Sequence, residues 1–488
     1  MPSNQEKNSI TFNFIMNVML TLSSFIFPLI SYPYVTRILS PGGIGKVAFA
    51  TSLIAYFEIF AKLGVPVYGV RACAVVRDDK EKLSRVVHEL LILNVLTTMI
   101  AYIAFIILLV LSPRLQEERG LYIIMSASML LNTVGMEWVY KALERYAYIT
   151  IRSVFFKALA VVLMIVFVNK ESDYALYGAL TIFAASASNI LNFINVRKYI
   201  YLRPLGQYNI YKHLKTVIIF FAMACATTVY TNLDTVMLGL LKNDYYVGLY
   251  DTALKVRKIV LSVVTSLGAV ILPRSSYYVE HSLWDDFYRV SSKALHFVYI
   301  VSLPLMVFFI IFAMPTVMVL SGKEFEGAAE PMRVIMPTVF LVGLSNIFGI
   351  QMLLPLGREK TVLRSEIYGA VVDFILNLFL IPSFAATGAA IGTLVAEFVV
   401  LIVQWADLKN EISRFREVIP VWKIVLSIFI ALLLCLWTLL TGWRNIQIIV
   451  VSAIIFGTVY SIVLLLLKDS MMQYIYKKVK KVIFFRKS

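Results

Sequence analysis

Residues 32–85 read YPYVTRILSPGGIGKVAFATSLIAYFEIFAKLGVPVYGVRACAVVRDDKEKLSR. The stretch holds the end of one apolar helix, a Gly/Pro turn, a second apolar helix and a charged loop. Its outline returns roughly 200 residues later, which makes an internal repeat the first thing to weigh. Ile44-Gly45 opens the second helix, and Val247-Gly248 opens a later one. Ala50 falls on Ala253, and Leu63-Gly64 answers Leu267-Gly268 one residue out of step. Arg71 and Arg85 are echoed by Arg274 and Arg289. A weak repeat in an apolar chain predicts two copies of a helical bundle facing each other across a centre, as in secondary transporters.

Composition points the same way. The 488 residues are 60% hydrophobic, with mean hydropathy +0.81, whereas a soluble domain is roughly half apolar. The 27 Tyr and 6 Trp suit interfacial aromatic belts. Apolar runs long enough to cross hydrocarbon occupy 12–36, 46–70, 86–111, 120–140, 153–169, 174–196, 216–241, 246–272, 293–320, 332–354, 363–383, 386–407, 422–441 and 446–467. The expected fold is therefore an all-α integral membrane protein with about 14 transmembrane helices. Two six-helix bundles, 1–205 and 206–415, each contain an even number of spans and enter the membrane in the same sense. That predicts a pseudo-two-fold axis along the membrane normal. Two additional helices (416–467) and a basic tail (468–488) have no counterpart in the repeat.

The net charge of +16 is not gathered as a nucleic-acid footprint would be. With the N-terminus placed inside, inner segments carry 32 Lys/Arg and outer segments 9. This predicts cytoplasmic N- and C-termini. Lys477, Lys478, Lys480 and Lys481, set among Ile475, Val479 and Val482, read as an interfacial basic helix on anionic lipid. Met1 to Ser9 is polar, and the apolar run after it is too long for a signal-peptide core, so the first span is expected to be retained. Gly42-Gly43-Ile44-Gly45-Lys46 lacks the spacing and hydroxyl of a phosphate loop. The four His form no zinc pair, and Cys73, Cys225 and Cys435 share no metal or redox spacing. No enzymatic constellation and no bound cofactor are expected.

Polar residues within the spans carry more information. Asn13, Asn17, Thr21 and Ser24, then Ser188, Asn192 and Asn195, then Thr227, Thr231 and Asp234 form stripes at helical spacing. Such stripes face another helix or a hydrated cavity, not lipid. Glu58, Lys62, Glu137, Asp234, Asp251, Lys255, Arg257, Lys258, Asp373 and Glu397 are the charges within or near spans. Each costs at least ~2.5–3.5 kcal/mol at mid-bilayer and so marks a site or a pair. Glu58/Lys62 and Asp251/Lys255 have i,i+4 spacing and can neutralise themselves on one helix face. Pro28 and Pro33 each remove a backbone hydrogen bond from the first span, which suggests a bending gate. Gly64, Pro66 and Gly69 loosen the inner end of the second.

Several motifs, in order along the chain, resemble the polysaccharide-type (Wzx-type) flippases of the multidrug/oligosaccharidyl-lipid/polysaccharide exporter superfamily. They are Thr36-Arg37-Ile38-Leu39-Ser40-Pro41 with Ile44-Gly45, then Leu63-Gly64 with Arg71. Glu137-Trp138, Leu143-Glu144-Arg145-Tyr146 and Ile149-Thr150 follow, then Asn232-Leu233-Asp234 and Val247-Gly248-Leu249-Tyr250. Ser40 stands where the family pattern has Gly.

The resemblance implies a bacterial cytoplasmic-membrane flippase. Its substrate would be an oligosaccharide linked by diphosphate to undecaprenol, carried outward by alternating access for capsule, O-antigen or exopolysaccharide assembly. It further implies H+ or Na+ coupling, contact with membrane lipids, and polymerase and chain-length machinery as partners of a monomer. On that reading Arg37, Lys62, Lys255, Arg257 and Lys258 are the expected diphosphate contacts, with Arg257 expected to snorkel outward. Glu58, Asp234, Asp251 and Glu397 are the expected ion-coupling and cavity carboxylates, and Pro28 and Pro33 the gate. The alternatives are a cation antiporter of the same superfamily and a membrane-embedded glycan polymerase. The short outer loops oppose the latter.

Overall fold

The computed structural model describes residues 4–266, 268–415 and 419–485. Leu267 of the Leu-Gly match and the side chains of Lys480 and Lys481 in the basic tail lie outside the described residues. Among the described residues every regular element is helical. This is the form in which a chain can satisfy its own backbone inside lipid. The chain packs as two compact units, Met1–Gly248 and Leu249–Ser488. This boundary is set by packing and falls later than the 205/206 boundary read from the repeat.

The first unit contains α1 (Asn4–Val35), α2 (Pro41–Lys62), α3 (Val65–Val75), α4 (Lys80–Leu111), α5 (Pro113–Glu117), α6 (Arg119–Gly135), α7 (Glu137–Ala142), α8 (Tyr146–Phe167), α9 (Tyr174–Ile182), α10 (Ser188–Asn195) and α11 (Tyr211–Leu241). α1 lies on α8, and α2 packs against α4, α6 and α11. Val87, Leu90, Trp138, Val139 and Tyr140 centre one buried cluster. Met99, Ile100, Ile103, Ile106 and Val110 remain exposed along α4, the surface that lipid would cover.

α2 and α3 are one span broken in two. Leu63 and Gly64 are both left-handed, at φ 42° and 73°. The Ala61 carbonyl beside the break accepts from Asn94 Nδ2 at 2.6 Å and Thr97 Oγ1 at 2.7 Å. Side chains thus supply the partners that a broken helix loses. Only glycine fits at position 64, because a Cβ there would lie 2.6 Å from both Phe221 N and Val217 O of α11.

The helices that follow are α12 (Asp244–Thr265), α13 (Gly268–Glu280), α14 (Trp284–Ile311), α15 (Ala313–Leu320), α16 (Ala329–Ile335), α17 (Pro337–Asn346), α18 (Glu359–Asp407), α19 (Lys409–Ile412), α20 (Val421–Cys435), α21 (Asn445–Leu466) and α22 (Ser470–Phe485). The first turn of α12 still belongs to the first unit. In the second unit α16 and α17 pack on α18, and α20 and α21 form a hairpin against α14 and α15. Phe308, Phe312, Ile424, Ile428, Phe456 and Tyr460 fill that junction. Tyr460 also donates to the Ile300 carbonyl at 2.7 Å.

Among the described residues, ten helical stretches are long and apolar enough to cross a bilayer. The pair Lys323–Ile335 and Pro337–Leu353, bent by 43°, makes up to eleven. The sequence reading expected about fourteen, and the difference has local causes. α18 is continuous over 49 residues, but Ala385 within it is non-helical at φ 48°, and the eleventh and twelfth apolar runs fall on either side. The fourth run is divided where Met136 turns left-handed at φ 40°. The eighth run is α12, where Asp251, Lys255, Arg257 and Lys258 interrupt the apolar pattern.

α22 begins at a carboxylate with two tasks. Asp469 Oδ1 accepts from the Met471 and Met472 amides at 3.0 Å each. Its Oδ2 lies 3.1 Å from His296 Nε2. Burial pushes the Asp469 carboxyl upward, but the His296 contact and the two amides outweigh it and hold the group below the usual carboxylate range.

Candidate functional site

α12 divides its charges between two faces. Asp251, Lys255 and Lys258 follow i,i+4 and i,i+7 spacing and lie together. Lys255 is ion-paired with Asp251. Lys258 is exposed and makes no hydrogen bond or ion pair among the described residues. Arg257 faces the other way. Its Nη2 donates to Glu397 Oε1 at 2.9 Å and its Nε to Thr338 Oγ1 at 2.7 Å. The outward reach expected for Arg257 gives way to a largely buried brace joining α12, α17 and α18, because Glu397 on α18 lies within hydrogen-bond reach. Tyr250 adds a second tie on that face, 2.9 Å from Thr393 Oγ1.

The first unit carries the corresponding pair one helix from its own start. Lys62 Nζ donates to Glu58 Oε2 at 2.6 Å. The other carboxylate oxygen accepts from Asn132 Nδ2 at 3.2 Å. Asn132 Oδ1 in turn accepts from Asn189 Nδ2 at 3.0 Å and from Ser186 Oγ at 3.2 Å. The pair is therefore closed into a network across α2, α6 and α10. Arg37 stands apart from it and caps the Pro33 carbonyl at the end of α1. Pro28 and Pro33 both lie inside α1, which runs without an assigned break. Asp234 is buried near the end of α11.

Some polar groups were not legible in the sequence. Lys157 was not among the charges singled out, yet it sits well inside α8, donating to Ser23 at 2.9 Å and Ser24 at 2.8 Å on α1. Arg152, also on α8, is buried and donates to the Ser188 carbonyl at 2.7 Å. Glu137 is held by Lys141 at 2.8 Å. At the start of α11, buried Glu89 takes Lys212 at 2.7 Å, His213 at 2.9 Å and the Asn209 amide at 2.8 Å. Tyr68 completes that chain, 2.8 Å from His213 Nδ1. No side-chain group able to hold a metal ion is present among the described residues.

A broken-helix, multi-span fold with cations placed inside its spans defines a membrane transporter. Residues 10–279, more than half of the chain, match the family model described as "Polysaccharide biosynthesis protein", and the chain belongs to that family. Two proteins named "Putative O-antigen transporter" are similar to it. The one from Escherichia coli (strain K12) is 22% identical over 409 residues, 83% of this chain and 98% of its own length. The one from Shigella dysenteriae is 25% identical over 396 residues, 78% of this chain and 95% of its own. Among solved structures, the lipid II flippase MurJ in an inward closed conformation aligns with TM-score 0.70 at 15% identity, over 93% of this chain and 100% of that one. An inward-facing multidrug resistance MATE family transporter of the MOP superfamily aligns with TM-score 0.63 at 14% identity, over 82% and 99%. These share the fold. The resemblance drawn from the motifs is borne out, and the chain is a multi-pass membrane transporter of the polysaccharide-flippase type, not an enzyme.

Proposed function

We propose that this chain moves undecaprenyl-diphosphate-linked oligosaccharide from the inner to the outer leaflet of the bacterial cytoplasmic membrane by alternating access. The observation that carries this reading is the cation cluster of α12, in which Lys258 has neither ion pair nor hydrogen bond among the described residues. Lys258 shares the single carboxylate of Asp251 with Lys255, and a diphosphate passing beside this cation excess supplies the further anion. Lys255, one turn away, adds a second point charge that Asp251 shares. Burying sugar hydroxyls in hydrocarbon without partners costs several kcal/mol per group, which is why a hydrated path is needed. The relatives' name, O-antigen transporter, supports the substrate class.

The positive-inside distribution supports cytoplasmic termini. Outward movement of a diphosphate gains ~2.3 kcal/mol per charge per 100 mV when the interior is negative. Coupling to H+ or Na+ through Asp234 or Glu397 is the alternative source of drive. Two of the carboxylates that a cation antiporter would use are engaged on their own helices: Glu58 with Lys62 and Asp251 with Lys255. Proteoliposomes loaded with a fluorescent undecaprenyl-diphosphate oligosaccharide test the proposal. Translocation should accelerate with an imposed potential or ion gradient. Export of a lipophilic cation, with no movement of the oligosaccharide, would replace this reading by the antiporter.

A further inference from the structure

Three cations from three helices gather within the second unit. Arg274 on α13 follows the eighth apolar run, which closes at residue 272. Lys293 on α14 opens the ninth run, and Lys478 lies on α22, beyond the last one. All three are exposed, at the level where spans leave hydrocarbon. α13 packs on α14, and α14 meets α22. The start of α22 is fixed there, because Asp469 both caps it and holds His296, one turn along α14 from Lys293. Met471 and Met472 then pack on the apolar junction that includes Phe456 and Tyr460. Tyr474 and Lys478 are left exposed, with the Lys478 ammonium 4.9 Å from the Tyr474 ring centroid. The Tyr474 hydroxyl feels all three charges. It is held below its ordinary range by Lys478 first and then, against desolvation, by the fields of Lys293 and Arg274.

We propose that Arg274, Lys293 and Lys478, together with Tyr474, form a site for the phosphate headgroup of one anionic phospholipid. The inference rests on the membrane fold and not on the transported substrate. Holding like charges from three helices together costs folding free energy unless an anion joins them. The protein supplies none: among the described residues none of the three cations has an ion pair, and the neighbouring Asp286 and Asp469 are engaged by Arg289 and His296. A lipid phosphate provides that anion through charge-assisted hydrogen bonds, while its acyl chains stay in the bilayer. Tyr474 adds an aromatic ring and a hydroxyl at headgroup level. General attraction of the tail lysines to an acidic surface needs α22 alone, whereas this site needs α13 and α14 as well.

Two measurements on the full-length protein in nanodiscs test this, and neither requires transport. In native mass spectrometry, phosphatidylglycerol should stay bound more tightly than phosphatidylcholine. Lys293→Gln and Arg274→Gln should each weaken phosphatidylglycerol binding about fivefold, and Lys293→Arg should keep it. Lys409→Gln removes the same charge from α19 of the same unit and should change nothing. In hydrogen exchange, the amides of residues 472–478 should exchange more slowly in phosphatidylglycerol discs than in phosphatidylcholine discs. Lys293→Gln should abolish that difference, with thermal unfolding in phosphatidylcholine discs unchanged. An equal loss of binding from Lys409→Gln would reduce the effect to general surface attraction and overturn the site. Equal retention of the two lipids by the wild type, or exchange that ignores the lipid, would overturn it too. If the oligosaccharide reading fails, both readouts still stand, which separates the two failures.

Discussion

Glu58–Lys62 and Asp251–Lys255 are the same motif in two settings. Both are i,i+4 ion pairs on a single helix, α2 in one case and α12 in the other. In the first, Asn132 takes up the spare carboxylate oxygen and is itself held by Asn189 and Ser186. Every charge there is answered by protein. In the second, the helix continues for one turn and adds Lys258, which makes no hydrogen bond or ion pair among the described residues and shares the charge of Asp251 with Lys255. One motif can thus serve as a clasp or as part of a station for an anion. Spacing alone does not say which; the next polar residue does.

The comparison breaks most sharply at Lys258. Lys258→Gln should lower flipping by about 10- to 100-fold, the value of a charge-assisted hydrogen bond to phosphate. Lys258→Arg should keep most of it. Lys62→Gln in the clasp should cost less than about threefold on the same scale, and a larger loss there would make the two sites equivalents. The measurement is initial flipping rate at matched membrane levels of protein.

Swapping charges sharpens the difference. Glu58→Lys with Lys62→Glu keeps a neutral pair beside an amide that can present either its oxygen or its nitrogen, so export should largely survive. Asp251→Lys with Lys255→Asp moves the cation one turn along α12, away from Lys258, and export should not recover. Recovery in the second swap would reduce Lys255 to a structural partner.

A smaller effect is expected from Asn132→Leu. It strips Glu58 of its amide donor and leaves Asn189 and Ser186 without their acceptor. Thermal unfolding in detergent should show a loss of about 1–3 kcal/mol with flipping per folded molecule nearly unchanged. A large fall in flipping without loss of stability would place Asn132 on the path.

The smallest effect serves as a control away from both pairs. Asp469→Ala should cost about 1 kcal/mol as a lost helix cap. The native carboxyl titrates below its ordinary value, so its contribution is complete above the unfolded carboxylate pKa, about 3.9. That contribution fades as pH falls through the lower folded value. The difference between wild type and variant should therefore hold from neutral pH down to about 4 and shrink only below it.

Much of the fold was open to sequence reading because lipid enforces it. The apolar runs, the loosened stretch at Gly64 and the order of motifs all needed only local information. The i,i+4 pairs were likewise visible. What escaped depended on departures from regular helix or on distant partners. Residues 183–187 form a π-helical segment, which shifts the face that follows. The stripe Ser188, Asn192, Asn195 was projected with regular spacing, so it missed that Ser186 and Asn189 reach Asn132. Ser188 and Asn192 instead sit buried, serving through their carbonyls as acceptors for Arg152 and Tyr140. Lys157 escaped notice because its partners, Ser23 and Ser24, lie on α1, more than 130 residues away in sequence. Arg257 and Glu397 were both flagged as charges, but their pairing joins α12 to α18 and no spacing rule connects them.

Within the first unit the opening turns of α2 and α12 meet at Gly45 and Gly248: a Cβ on Gly45 would lie 1.7 Å from the Asp244 carbonyl oxygen, and one on Gly248 1.9 Å from that of Pro41. Other positions at the same offset differ; Glu58 stands where Leu261 stands 203 residues later. At the crossing each backbone is the ceiling over the other, and the clearance belongs to neither helix alone. A methyl group gained on one side cannot be absorbed by trimming a side chain on the other, because there is none to trim. Divergence at these two positions is therefore closed off sterically, and only a change in the spacing of the helices themselves would reopen it.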